Sequence, residues 1–288
     1  MAKTGVSFRH ITIVGVGLLG GSAGLALKRA WPGAVVAGVG RSQANLDQAL
    51  KMGAIDAAYS DVAEPAGQSD LIILATPVCS FAQHIAAIAP VLRRGVLVTD
   101  VGSTKAAVVR QAQRILTRGG PFVGSHPMAG SERKGAAHAQ VDLFEGATCI
   151  LTPTPSTPPA LLARTRGLWQ SLGMRTVEMS PAAHDRAVAA VSHLPHVLAA
   201  MLMLLPREAE LQVSARGFAD MTRLAGGDVE MWRDILLTNR SAILGRIDDF
   251  DERLMLLRDL VELGDAGQIT RFLRAAKKRR DGLKNNRS

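Results

Sequence analysis

The sequence predicts an α/β domain built on parallel strands, followed by an all-α domain. Short apolar runs that suit buried strands alternate with helical segments through the first 180 residues. The first of these strands leads directly into a glycine-rich turn and a helix. At Ser180 the pattern changes, and only helical periodicity continues towards the C-terminus. We therefore divide the chain into residues 1–180 and residues 181–288.

Size and composition indicate a globular protein of one large or two modest domains. The 288 residues are 47% hydrophobic and 20% charged, and aromatic residues, at 4%, leave little material for stacking on nucleic-acid bases. The net charge of +9 is concentrated at the C-terminus, where eight Lys or Arg follow from Arg271 onward against Asp281 alone. We interpret this basic tail as a helix end that frays into solvent, and a nucleic-acid partner is not expected.

Cysteine usage and hydropathy favour a cytoplasmic protein without a membrane partner. Cys79 and Cys149 are far apart in sequence and belong to no C-x-x-C pattern, which fits a reducing compartment. The first ten residues contain no apolar stretch of the secretory type. The most apolar run, residues 197–205, is by itself too short to span a bilayer and ends at Pro206.

The first strand and the turn after it predict a Rossmann-type dinucleotide site. A β-branched run at residues 11–14 leads into a helix over residues 21–30, and between them lies the turn Gly15-Val16-Gly17-Leu18-Leu19-Gly20. Gly15 permits the tight turn, Gly17 lets a pyrophosphate approach the backbone, and Gly20 lets the helix pack closely on the strand. The helix N-terminus then offers unpaired N–H groups to the pyrophosphate. All six residues of the turn are candidate cofactor ligands.

The end of the second strand bears on the choice between NAD and NADP. Residues 35–39 form this strand, and Gly40-Arg41-Ser42 follow it about 20 residues after the last motif glycine, where NAD-binding proteins carry an acid for the ribose. No acid is present here, and Arg41 and Ser42 instead offer donors to a 2′-phosphate. We predict NADP over NAD, although Arg41 could instead stack on the adenine and accept both cofactors.

Three further strands end in polar turns. Residues 71–75 form a buried strand that ends at Ala75-Thr76-Pro77, with a helix from about Val78 to Ala89. Residues 96–100 form the next strand and lead through Ser103 into a helix, and residues 121–123 lead to His126. Because ligands of such sheets bind at the carboxyl ends of strands, we expect these turns to converge on the nicotinamide. Ser103 could instead cap its helix, and His126 could be a structural histidine.

The remainder of the chain predicts one more strand pair and then helices. We place strands at residues 149–151 and 175–179 with a helix at 161–172 between them. Ser180-Pro181 starts a helix towards Leu205 whose second half is apolar on every face, which favours an interdigitated dimer. Further helices are predicted at about residues 213–224, 229–238, 240–263 and from 266 onward.

Taken together, these motifs resemble the prephenate/arogenate (cyclohexadienyl) dehydrogenase family of tyrosine biosynthesis. They are the glycine turn, Asp100-Val101-Gly102-Ser103-Thr104-Lys105, Gly124-Ser125-His126-Pro127-Met128-Ala129-Gly130, Ser192-His193-Leu194-Pro195-His196, and Thr222-Arg223 before Trp232-Arg233-Asp234. The similarity extends from about residue 8 to residue 245. It implies a Rossmann domain, a helical dimerisation domain and a homodimer.

The resemblance also implies a reaction and a set of roles. The family substrate is a cyclohexadienol with a ring carboxylate, and removal of hydride from C4 lets CO₂ leave and the ring become aromatic. The proton acceptor would be His126, with Ser103 bonded to the same hydroxyl. Arg223 would bind the side-chain carboxylate, and His196 with His193 the ring carboxylate. Trp232 would line the substrate, and Glu132 would control access or substrate choice.

Several alternatives stay open at this point. His193 and His196 could bind zinc, but the sequence shows no third ligand at a suitable spacing, so no metal is expected. Trp232 could be a core residue, and Asp220 could orient Arg223 or form a solvated pair with it. A β-hydroxyacid dehydrogenase would need a catalytic Lys, which residues 180–250 lack. A non-catalytic NADP-binding sensor is the other alternative, and the residues do not separate prephenate from arogenate.

Overall fold

One eight-stranded sheet organises the first part of the molecule. The computed structural model describes residues 5–117, 119–130 and 133–285. The strand order is β3-β2-β1-β4-β5-β6-β7-β8, and all neighbours are parallel except β6 and β7. The strands are β1 His10–Val14, β2 Val35–Val39, β3 Ala57–Tyr59, β4 Leu71–Leu74, β5 Leu97–Asp100, β6 Phe122–Pro127, β7 Thr148–Thr152 and β8 Arg175–Glu178. The predicted α/β sheet is confirmed.

Helices cover both faces of this sheet. The helices of this part are α1 Leu18–Ala30, α2 Gln43–Lys51, α3 Ala63–Ala66, α4 Phe81–Ile88, α5 Ala106–Ile115 and α6 Pro159–Ser171. Strand β4 shows why both faces need cover, because Leu71 and Ile73 enter one apolar cluster while Ile72 and Leu74 enter the other. A strand buried on both faces reads as a continuous apolar run, which is how the sequence revealed it.

Three elements of the sheet domain were not predicted. They are α2, β3 and α3. Helix α2 buries only Leu46 and Ala49, so its sequence carries a weak apolar stripe. Strand β3 has three half-buried residues and α3 is a single turn. Elements this short or this polar lack the periodicity on which the prediction depended.

A continuous helical rod begins at Pro181. It consists of α7 Pro181–Val188, a π-helical turn Ala189–His193 and α8 Leu194–Leu204. Ser180 caps its start by accepting a hydrogen bond from the backbone N–H of Ala183. The widened turn accommodates Pro195, which lacks the N–H that would bond Val191 four residues earlier.

The helix predicted from Ser180-Pro181 towards Leu205 is confirmed, and it extends well beyond its most apolar run at residues 197–205. Pro181–Leu204 is 24 residues long and, by length and composition only, could cross a membrane, although 28% of its most apolar window is buried inside the protein. A core or interface helix of a globular protein has the same length and composition. The apolar side chains left exposed include Met201, Leu204 and Leu205.

The prediction of one continuous helix at residues 213–224 is wrong. The structure has two short helices, α9 Glu208–Leu211 and α10 Arg216–Thr222, and then a 3₁₀ turn, Arg223–Gly226. No residue of α9 is buried and only Thr222 of α10 is, so packing does not sustain one long helix here. The next helix, α11 Val229–Thr238, starts and ends as predicted.

Contacts divide the chain into residues 1–240 and residues 241–288. Both sides of the boundary predicted at Ser180 fall within the first of these units, and that boundary stays a prediction. The second unit is formed by α12 Arg240–Glu262 and α13 Ala266–Asn285, joined at Gly264 with φ +64°. The basic end of the chain is therefore helical to Asn285, while residues 286–288 lie outside the described part.

Candidate active site

The glycine turn has the shape that a dinucleotide requires. Gly15 has φ +98°, and a Cβ there would lie 2.7 Å from the carbonyl of Ala75. A Cβ on Gly20 would lie 1.9 Å from the carbonyl oxygen of Gly15, which explains how closely α1 packs. At Gly17 a Cβ would meet nothing within 4 Å, and no side chain caps α1. The turn therefore leaves open space beside free helix N–H groups.

The strand ends next to this turn carry the other predicted cofactor ligands. Thr76 accepts a hydrogen bond from Ser80 at 2.8 Å, and its methyl group lies beside Gly15, so the turn Ala75-Thr76-Pro77 borders the glycine turn. Ser42 caps α2 by accepting from the N–H of Asn45 at 3.3 Å. Arg41 is exposed and, within the described residues, has no hydrogen bond or ion pair. It lies near His84 of α4, whose pKa is lowered by burial and then by Arg41.

His126 lies inside β6, opposite Ile150 of β7, and is 9% exposed. Its Nδ1 is 2.8 Å from Nε2 of His184, a fully buried residue of α7. The two rings are tilted, with centroids 5.0 Å apart. Among the described residues Nε2 of His126 has no hydrogen-bond partner. One ring nitrogen is therefore held by the protein, and the other is left for a ligand.

Asp185 continues this contact and also caps α5. Nδ1 of His184 donates to Asp185 at 2.8 Å. The same carboxylate accepts from the backbone N–H groups of Lys105 at 2.8 Å and Ala106 at 2.9 Å. Asp185, and not Ser103, therefore caps α5 by accepting hydrogen bonds from the backbone N–H groups at its start. Ser103 is half-buried in the preceding turn and, within the described residues, has no hydrogen bond.

The surroundings keep His126 neutral. Burial lowers its pKa well below the ordinary value, and His184, Lys105 and His193 add to the shift. The nearby ammonium of Lys105 is fully buried and pairs with Asp100, whose carboxylate also accepts from the backbone N–H of Ser125 at 3.0 Å. A neutral imidazole at this position has the protonation state that a proton acceptor needs.

His193 belongs to the same buried network. Asn239 donates through Nδ2 to Nδ1 of His193 at 3.1 Å and to the backbone carbonyl of Asp185 at 2.9 Å. Burial lowers the pKa of His193 to about 4. His193 is therefore neutral, and Asn239 links it to the residue that caps α5.

His196 lies flat against Trp232. Their ring centroids are 3.5 Å apart and the planes differ by 8°, and His193 meets the edge of the same indole at 6.0 Å. His196 is hydrogen-bonded to the backbone of Leu224, while its buried Nδ1 has no partner. Both histidines therefore contact Trp232, which the sequence did not predict, although their spacing of three residues predicts a common helix face.

Arg223 stands beside this cluster at the start of the 3₁₀ turn. It is exposed and has no hydrogen bond or ion pair with a described residue, and the expected pair with Asp220 is absent from the described part. Leu224, the next residue, contacts His196. Glu132, the remaining predicted substrate residue, lies outside the described residues.

The described residues contain no group of three His, Cys, Asp or Glu that could hold a metal ion. A cavity of about 650 Å³ does exist, at the opposite ends of β5 and β6, and none of the predicted site residues lines it. The site is instead a series of contacts from His126 through Asp185 and Asn239 to His193 and Trp232.

Sequence reasoning missed His184, Asp185 and Asn239. The available signal was an adjacent His and Asp early in a helix that otherwise carries small apolar residues. Their partners could not be inferred, since His126 and His184 are 58 residues apart in sequence.

Comparisons with known proteins agree on one family. The sequence model of the prephenate dehydrogenase nucleotide-binding domain matches residues 23–178, and that of the prephenate dehydrogenase dimerization domain matches residues 180–275. Prephenate dehydrogenase of Bacillus subtilis (strain 168) is 38% identical over 283 residues, which cover 95% of this chain and 76% of that relative. Cyclohexadienyl dehydrogenase of Zymomonas mobilis is 34% identical over 284 residues, covering 96% and 97%. The crystal structure of prephenate dehydrogenase from A. aeolicus, in complex with hydroxyphenyl propionate and NAD+, has a TM-score of 0.91 and 31% identity, and the match covers 96% of this chain and 99% of that one.

Proposed function

The chain belongs to the prephenate dehydrogenase family, and we propose that His126 is the proton acceptor of its reaction. The enzyme is a nicotinamide-dependent oxidoreductase that decarboxylates prephenate, arogenate or both while oxidising the ring. A bound nicotinamide supplies the acceptor for the hydride that leaves C4. The chain must hold the substrate against it and take the proton of the C4 hydroxyl.

The observation that carries the proposal is the state of the two ring nitrogens of His126. Nδ1 is engaged by His184 at 2.8 Å, and burial, together with the neighbouring His184, Lys105 and His193, keeps the ring neutral. A neutral ring whose Nδ1 carries the hydrogen has its lone pair on Nε2, the nitrogen without a described partner. Ser103, with its hydroxyl uncommitted, would bond the same substrate oxygen and help to orient it.

The two carboxylates of the substrate require donors, and the helical part offers them. We propose that Arg223 binds the side-chain carboxylate, because its exposed guanidinium is uncommitted and forms paired bonds to a carboxylate. His196 would bind the ring carboxylate in its protonated form, donating from Nδ1, the buried nitrogen without a partner, because its other nitrogen already donates to the backbone of Leu224. Trp232 and His193 would fix the orientation of His196, and Glu132 would control access or substrate choice.

The glycine turn and its neighbours would hold the cofactor. The open side of Gly17 and the uncapped start of α1 fit a pyrophosphate, and Ala75, Thr76 and Pro77 border the same space. We propose NADP over NAD because the exposed Arg41 follows β2 and no acid stands there. Ser42 would contribute less than the sequence indicated, since its hydroxyl already caps α2.

The proposal includes the organisation of the protein. We propose a cofactor domain of residues 1–180 and a helical domain of residues 181–288 that joins two copies of the chain. The two family matches, which meet at residues 178 and 180, support this boundary, and the match to a dimerization domain supports the homodimer. We also propose the cytoplasmic location that the wide sequence separation of Cys79 and Cys149 favours.

A steady-state panel of two substrates against two cofactors tests this function. Absorbance of the reduced cofactor should rise with prephenate or arogenate, and a flat trace with all four combinations would contradict the proposal. His126→Asn should lower kcat on the order of 10²–10⁴-fold while cofactor binding survives. His10→Asn is the matched control, because His10 is exposed at the opposite end of the sheet. Full activity of His126→Asn would remove His126 from the chemistry.

A further inference from the structure

We propose that Asp185, acting through His184, fixes His126 in the tautomer that carries its proton on Nδ1. The inference rests on the proposed role of His126 as proton acceptor. It assigns Asp185 and His184 as positioning residues, since neither is proposed to touch the substrate. The three side chains form one series of contacts, with 2.8 Å between each pair of nitrogen or oxygen atoms.

The direction of every hydrogen bond follows from the carboxylate at the end of the series. Burial alone would raise the pKa of Asp185, but the hydrogen bond from His184 and the backbone N–H groups of Ala106 and Lys105 lower it below the ordinary value. An ionised carboxylate only accepts hydrogen bonds, so Nδ1 of His184 carries a proton. In a neutral His184, Nε2 is then an acceptor.

The acceptor on His184 decides the state of His126. Nε2 of His184 takes a hydrogen bond from the Nδ1–H of His126, which leaves the lone pair of His126 on Nε2. The opposite arrangement, in which His184 donates to Nδ1 of His126, would place the proton on Nε2. A ring in that state could not take a proton from the substrate. The carboxylate therefore excludes the inactive tautomer.

The charged groups around the pair favour neutral rings. Burial lowers the pKa of His184, and Lys105 lowers it further, while Asp185 and Asp100 act in the opposite direction. His126 faces His184, Lys105 and His193, and all three lower its pKa after burial. Asn239 holds the backbone of Asp185 in place. A positive charge that forms on His126 when it takes a proton is stabilised through His184 by the carboxylate.

Asp185→Asn is the direct test. The side-chain amide can donate to Nδ1 of His184, which reverses both hydrogen bonds and moves the proton of His126 to Nε2. We expect kcat to fall on the order of 10²–10⁴-fold with a smaller change in KM. Asp70→Asn is the matched control, because Asp70 also accepts two backbone N–H groups, those of Arg9 at 2.8 Å and His10 at 3.2 Å, and lies at the other end of the sheet.

A second readout needs no turnover. The ¹⁵N resonances of the His126 ring in histidine-labelled enzyme, assigned with His126→Gln, distinguish the Nδ1–H from the Nε2–H tautomer. We expect Nδ1–H in the native protein and in Asp70→Asn, and Nε2–H in Asp185→Asn. An unchanged tautomer in Asp185→Asn overturns the proposal, whatever happens to kcat.

His184→Phe is the alternative if Asp185→Asn does not fold. It removes the imidazole between Asp185 and His126 and leaves the carboxylate of Asp185 bonded to the start of α5. It should give a mixture of His126 tautomers and a reduced kcat, and a native spectrum with native kcat would overturn the proposal. The outcomes distinguish the proposed role of His126 from the proposed role of Asp185. Activity of His126→Asn would contradict the proposed proton acceptor, while the ¹⁵N spectrum reports on Asp185 alone.

Discussion

His196 and Trp232 form a parallel stack with 3.5 Å between ring centroids, and the backbone of Gly227 lies against both rings. A Cβ on Gly227 would lie 2.5 Å from Nε1 of Trp232 and 3.0 Å from Cε1 of His196. The backbone of Gly227, with φ −64° and ψ 165°, is open to any residue. The requirement for glycine is therefore one of space and not of backbone conformation.

Gly227→Ala should displace this stack and weaken substrate binding. Overpacking costs about 1–3 kcal/mol, and we expect KM to rise about tenfold with a smaller change in kcat. Gly226→Ala is the control, because a Cβ at Gly226 would meet nothing within 4 Å. Steady-state kinetics of the two variants should differ clearly, and equal KM values would exclude a substrate role for the stack.

Gly20→Ala and Gly17→Ala should separate folding from cofactor binding. A methyl group on Gly20 collides with the carbonyl of Gly15 at 1.9 Å, so we expect a loss of about 1–3 kcal/mol in the free energy of unfolding. A methyl group on Gly17 meets no protein atom within 4 Å, so stability should hold while cofactor affinity falls. Thermal unfolding and cofactor titration measure the two effects. Native cofactor affinity of Gly17→Ala would place the pyrophosphate elsewhere.

Arg41→Ala should change the preference for the phosphorylated cofactor. A charge-assisted hydrogen bond contributes about 1.5–3 kcal/mol, so KM for NADP should rise on the order of tenfold or more. KM for NAD should stay within about twofold, because NAD has no 2′-phosphate to lose. Equal losses for both cofactors would indicate that Arg41 stacks on the adenine instead.

The pH dependence of turnover should show an acid limb below pH 6.5. His126 works only when neutral, and burial, together with His184, Lys105 and His193, lowers its pKa from 6.5. The rate should therefore hold as the pH falls through 6.5 and drop only at lower pH. A kcat profile in wide-range buffers measures this, and a midpoint at or above 6.5 would contradict the role of the neutral ring.

Acid should also destabilise the fold before most carboxylates titrate. The pKa of His193 is about 4 in the folded chain and 6.5 in the unfolded one, so between these values the unfolded state binds the extra proton. Stability therefore falls as the pH drops below 6.5, by about 1.4 kcal/mol per pH unit for this group, and levels off near pH 4. His193→Gln should flatten the dependence of Tm on pH, whereas His10→Gln should not.

The local parts of the site could be predicted from sequence, and the long-range parts could not. The glycine turn is encoded in neighbouring residues, because apolar runs and glycines have local conformational consequences. The apolar run at residues 121–123 predicts the start of β6, but not its continuation through His126 to Pro127, which depends on pairing with β7. The cap of α5 comes from Asp185, which is 80 residues from Lys105, and no local pattern reveals it. The same holds for His184, and the π-helical turn before Pro195 depends on packing that periodicity does not describe.

The rod that begins at Pro181 has a consequence for the lone chain. Leu204 and Leu205 are 84% and 72% exposed, and Met201 is 57% exposed, so a single copy of the chain exposes an apolar surface to water. Association that covers such a surface adds to the free energy of folding by mass action. Dilution would then lower the free energy of unfolding of the whole chain, including the part that binds the cofactor. The stability of each subunit would therefore depend on the protein concentration.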